Sequence, residues 1–60
     1  MQGTHQVRAL RLQRAWSQEQ LAELASLSVR TVQRIENGET PSLKTLSALA
    51  AVFGVSVAEL

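Results

Sequence analysis

The chain has 60 residues, a net charge of +1, and no cysteine, aspartate or tyrosine. A chain of this size makes one domain, burying about 60% of the surface its unfolded form exposes. Disulfides, thiolate metal sites and thiol catalysis are excluded, and no apolar run approaches the roughly 18 residues of a membrane span.

The first helix is expected from near Thr4 to about Ala15, with Val7, Leu10 and Arg11 sharing one face at helical spacing. A charge on that stripe, Arg11, needs a partner or an exit to solvent. Trp16 fills the corner that follows. It is the only tryptophan and has no aromatic beside it in the chain, so it reads as a packing residue rather than a base-stacking one.

The second helix has a clear start. Ser17 is a good N-cap, and Gln20 completes a capping box. Leu21, Ala22, Leu24 and Ala25 form its apolar stripe, leaving Glu19, Gln20 and Glu23 to water. Ala22 is small enough for the next helix to cross closely. A turn over Ala25-Ser26-Leu27-Ser28 follows, and Ser28 caps a third helix from Val29 to about Glu36, with Asn37-Gly38 as a left-handed stop. Val32 and Ile35 face inward over Leu27, which leaves Val29, Arg30, Gln33 and Arg34 on the opposite or flanking surface.

Pro41 and Ser42 open a fourth helix from Leu43 to about Phe53, whose apolar face is Leu43, Leu46, Leu49, Ala50 and Phe53. Gly54 is its expected stop, with Val55 folding back. Ser56 and Glu59 form a second capping box that announces a fifth helix, of which Leu60 ends the first turn. Either the protein continues beyond Leu60, or Leu60 docks alone on the core. The expected architecture is therefore an all-α, compact five-helix bundle with a helix-turn-helix in its second and third helices.

Two short helices joined by a tight turn, with arginines aimed away from the core, are what a DNA major groove accepts. Beyond this, LRLQRAWSQEQLAELASLSVRTVQRIENG and the following PSLKTLSALAAVFGVSVAEL resemble the Cro/cI-repressor-type (XRE-like) helix-turn-helix domain across nearly all of residues 7–60. The resemblance implies the lambda-repressor-like fold. One departure is Ser26, where the family's turn usually has glycine; a positive backbone angle there costs on the order of 1 kcal/mol.

The resemblance implies sequence-specific binding of double-stranded DNA by a transcriptional regulator, of repressor type, acting as a homodimer on an inverted-repeat operator. Half-sites would lie about one helical turn apart. It places base contacts at Val29, Arg30 and Arg34, with Gln33 close by. Arg30 and Arg34 can each present a fork to guanine O6 and N7, and Val29 suits a thymine methyl. It assigns phosphate contacts to Gln18, Ser28, Asn37 and Ser17, with Thr31 and Lys44 as weaker candidates. The two serines fit pure helix capping better than a contact by the hydroxyl itself, though both roles can coexist, and Asn37 fits a C-cap equally well. The resemblance also pairs Arg11 with Glu36 as a structural salt bridge; the alternative is that both are solvated.

Charge alone leaves the matter open. Arg8, Arg11 and Arg14 fall in the first helix, Arg30 and Arg34 in the third and Lys44 in the fourth, which can pool them on one face or leave them as ordinary solvated charge. No nucleophile, base and orienting group can be assembled into an enzyme site, and His5 has no companion for a metal, so neither metal nor cofactor is expected. A cysteine-free regulator is expected in the cytoplasm, with no membrane contact from this segment. The rival reading is a protein-interaction or antitoxin module on the same scaffold.

Overall fold

The computed structural model describes residues 5–60: α1 (His5–Gln13), α2 (Gln18–Ala25), α3 (Val29–Glu36), α4 (Leu43–Phe53) and a 3-10 turn over Val57–Glu59. The expected start of the first helix at Thr4 lies outside the described residues. Three helix starts follow from one device, a serine in extended backbone conformation whose hydroxyl accepts from the amide three residues on. Ser17 Oγ accepts from Gln20 N at 3.0 Å, Ser28 Oγ from Thr31 N at 3.1 Å and Ser42 Oγ from Thr45 N at 3.2 Å. Gln20 closes the capping box by accepting from Ser17 N at 2.7 Å.

The helix ends share a device as well. At each one the two amides past the helix turn back on its last carbonyls in a Schellman motif. Trp16 N donates to Arg11 O at 3.1 Å, Leu27 N to Ala22 O at 2.8 Å, Glu39 N to Arg34 O at 3.1 Å and Val55 N to Ala50 O at 3.0 Å. The motif needs one residue at positive φ, and these are Ala15 (58°), Ser26 (58°), Gly38 (103°) and Gly54 (72°). Hence α1 stops at Gln13, short of the Ala15 expected, because Ala15 is the left-handed residue of the stop. Asn37 stays at φ −87° and leaves the left-handed position to Gly38.

Two of these four positions hold a side chain that strains the backbone. Ser26→Gly is expected to raise stability by about 0.5–1 kcal/mol. Thermal unfolding should register this as a rise of roughly 2–8 °C in Tm. A fall in Tm would mean that the Ser26 side chain contributes more than its strain removes.

The helices close on a core in which Val7, Leu21, Val32 and Leu49 are wholly buried, joined by Ala22, Ala25, Ile35, Ala50, Phe53 and Leu60. Two expected core leucines lie outside it. Leu24 is 53% exposed, since the buried side of α2 runs through Leu21, Ala22 and Ala25 and Leu24 falls on its shoulder. Leu43 is 69% exposed, although its azimuth matches that of buried Ala50 seven residues on.

Among the described residues the expected five helices are corrected to four and one 3-10 turn. Past Ser56 the backbone makes i to i+3 bonds, Glu59 N to Ser56 O at 3.0 Å and Leu60 N to Val57 O at 3.1 Å. This tight turn swings Leu60 onto the core, where it is 3% exposed. The Glu59 carboxylate accepts from both Ser56 N and Ser56 Oγ at 3.0 Å, which holds it below the usual glutamate pKa.

Trp16 does acquire an aromatic neighbour, one that adjacency in the chain could not reveal. Its ring stacks on Phe53 with centroids 5.8 Å apart and planes 22° apart. The Arg14 guanidinium lies over both rings and donates from Nη2 to Phe53 O at 2.7 Å, a cation at the negative end of the α4 dipole.

Candidate nucleic-acid interface

Successive residues of α3 turn by about 100° each, so burying Val32 and Ile35 dictates where the others point. Both are anchored, at 0% and 2% exposure. The opposite side then carries Arg30, Gln33 and Asn37, all exposed, with Arg34 on one flank and Val29 on the other. Val29 is half-buried and packs against the core, so only part of it is available outward from its flanking position. The α2–α3 corner that presents this face is set by Leu27, half-buried beneath the two helices, and by the left-handed Ser26.

Behind the exposed face lies a buried polar knot. Arg11 Nε donates to Glu36 Oε2 at 2.7 Å and Arg11 Nη2 to Glu36 Oε1 at 3.0 Å, a bidentate pair with side chains 10% and 4% exposed. Arg11 Nη1 donates further to Trp16 O at 2.8 Å, and Gln18 Nε2 donates to Glu36 Oε1 at 3.1 Å. Thus α1, the α1–α2 turn, the start of α2 and the end of α3 meet at one ion pair, the turn through Arg11 and the start of α2 through Glu36. The Arg11 pKa is raised, chiefly by its hydrogen bond to Glu36. Burial alone would push Glu36 upward; the bonds from Arg11 and Gln18, with the nearby charge of Arg8, override it and hold Glu36 below the usual range.

The residues expected to touch phosphate are placed as follows. Ser17 and Ser28 are exposed, and their hydroxyls serve as N-caps, with Ser28 Oγ also 2.9 Å from Thr31 Oγ1. Thr31 is half-buried. Gln18 is half-buried with its side-chain amide turned to Glu36, an engagement that the expectation of a phosphate contact did not include. Asn37 and Lys44 are exposed, Asn37 at the end of α3 and Lys44 in the first turn of α4.

The basic residues do not simply pool. Arg11 is neutralised in the interior, Arg14 is fixed on the aromatic pair, and Arg34 Nε lies 3.4 Å from Glu39 Oε1 with both side chains exposed. Arg8, Arg30 and Lys44 are exposed and enter neither ion pair among the described residues. The partnership of Arg34 with Glu39 was missed from sequence. The Gly38 stop carried its signal, since a Schellman motif brings the residue after the glycine back to the carbonyl five positions earlier.

A family described as helix-turn-helix matches residues 7–60. The chain belongs to the helix-turn-helix family. Within it the match is to the Cro/cI-type, XRE-like branch, a family of DNA-binding regulators that are generally non-enzymatic. No curated protein matches the chain. In this helix-turn-helix domain α2 and α3 form the motif itself. Among the described residues no helix is long and apolar enough to cross a membrane, and no three potential metal ligands come together.

Proposed function

We propose that the domain binds double-stranded DNA sequence-specifically, as a transcriptional repressor, with α3 as the helix that enters the major groove. The observation that carries this is the fixed azimuth of α3. Val32 and Ile35 are locked in the core, so Arg30, Gln33 and the Arg34 fork are turned outward from one rigid helix. In this reading Arg30 and Arg34 pair with guanine, Gln33 bonds a neighbouring base edge, and the open side of Val29 meets a thymine methyl. Ser17, Gln18, Ser28, Thr31, Asn37 and Lys44 lie against phosphate. Hydroxyls occupied as caps still present helix N-terminal amides there, and Gln18 retains one amide proton beyond the bond to Glu36. The protein acts as a homodimer on an inverted repeat.

Selection of bound sequences from a random duplex pool tests the proposal. It should return a palindromic consensus with guanines in each half-site, and affinity should fall linearly on logarithmic axes as salt rises, because neutralised phosphates release counterions. An unordered pool and a flat salt response would favour the protein-interaction reading.

A further inference from the structure

Glu39 is an acid beside a helix proposed to face DNA, and the way it is held gives it a task. Its backbone amide donates to Arg34 O at 3.1 Å, through the same left-handed stop at Gly38 that ends α3. Its carboxylate then lies 3.4 Å from Arg34 Nε. Two connections therefore link the same two residues, one through the backbone and one through side chains. A carboxylate on the Nε side leaves the Nη1–Nη2 edge of the guanidinium pointing onward. That edge alone suffices for a bidentate bond to guanine O6 and N7.

We propose that Glu39 is a specificity-determining positioning residue: it holds the Arg34 fork for a guanine edge and penalises the same arginine for settling on phosphate. The inference rests on the DNA-binding reading above. The physical argument is a competition between two acceptors. A phosphate is a full negative charge, so it attracts a lone guanidinium strongly and from many directions, but is repelled by a carboxylate already bound to it. Guanine presents two neutral acceptors in a fixed geometry, so its bond survives the neighbouring acid far better. The Arg34–Glu39 pair, close to neutral overall, thus gives up non-specific attraction and keeps the directional contact. The exposure of both side chains, 58% and 62%, leaves the pair accessible to a duplex and makes its contribution to folding small.

The test compares the full chain, Glu39→Gln, Arg34→Ala and the double variant on the selected duplex and on random duplex across a salt series. For Glu39→Gln, affinity for random DNA should rise about two- to fivefold, and the salt slope should steepen by about one phosphate equivalent. Preference for guanine at one operator position should drop by roughly fivefold or more. Glu39→Asp, with its charge kept, should restore part of that preference. Once Arg34 is alanine, the Glu39 exchange should no longer alter base preference. Equal gains on both duplexes with an unchanged consensus, or the same change in preference with and without Arg34, would overturn the role of Glu39 while leaving DNA recognition intact. A wild-type chain that selects no sequence would remove the DNA-binding reading, and this inference with it.

Discussion

Glu36→Ala is expected to destabilise the domain by about 3–5 kcal/mol, the cost of leaving one member of a buried ion pair alone. The loss would fall on Arg11, whose side chain is 10% exposed and would keep only Trp16 O of its three acceptor atoms. A domain of this length has a total stability of roughly 3–9 kcal/mol, so the change should remove from about a third of it to all of it. Glu36→Gln is the more informative partner, because the amide fills the space and still accepts one bond. Exposed Glu19→Ala serves as the control and should change stability by less than about 0.5 kcal/mol. Chemical denaturation of the three variants measures this directly. Equal small effects for Glu36 and Glu19 would show that the buried pair contributes nothing.

The same pair sets a pH dependence with a definite sign. Glu36 titrates below its ordinary value of 4.5 in the folded chain. A carboxylate with a depressed folded pKa contributes stability that is complete above the unfolded pKa and disappears as pH falls through the folded one. The gap between wild type and Glu36→Gln should therefore be constant at neutral pH and begin to close below about pH 4.5. Glu59 is also depressed, by its bonds from Ser56, but it is present in both proteins and cancels in the comparison. A gap that widens on acidification would contradict the assignment.

Arg30→Ala is expected to produce the largest functional effect, a loss of about 1–3 kcal/mol at the cognate duplex with relaxed preference at one guanine. Arg30 lies near the centre of the outward face of α3 and enters neither ion pair among the described residues, so nothing within the domain competes for its fork. Arg34 stands about 40° around the helix, farther from the centre of that face, so its removal should cost less. Because Arg30 is exposed, the variant should fold as the wild type does, and thermal unfolding checks this alongside the binding titration. A uniform loss over all duplexes, with no change in preference, would make Arg30 a phosphate contact instead.

Much of the domain was legible in its residues, and the legible part is local. Ser17, Ser28 and Ser42 announce helix starts because a cap involves a hydroxyl and an amide three positions away. Gly38 and Gly54 announce stops for the same reason, while Ala15 concealed one because alanine is a good helix former. The inward placement of Val32 and Ile35 followed from helical spacing, and with it the outward placement of Arg30 and Gln33. The bond between Arg11 and Glu36 spans 25 residues; it was expected from family resemblance, since spacing alone says nothing about so distant a partner.

What required the folded chain was everything settled by a neighbour remote in sequence or by the limits of an element. Leu24 and Leu43 satisfy the apolar pattern yet stand in solvent, because a pattern gives direction and cannot say whether another helix covers it. Phe53 meets Trp16 only after α4 has packed against the rest, and Gln18 turned to Glu36 because the start of α2 lies against the end of α3. Local hydrogen bonding and periodicity thus determined the helices and the outward side of α3. Long-range packing decided which charges were consumed inside the domain and which remained on its surface.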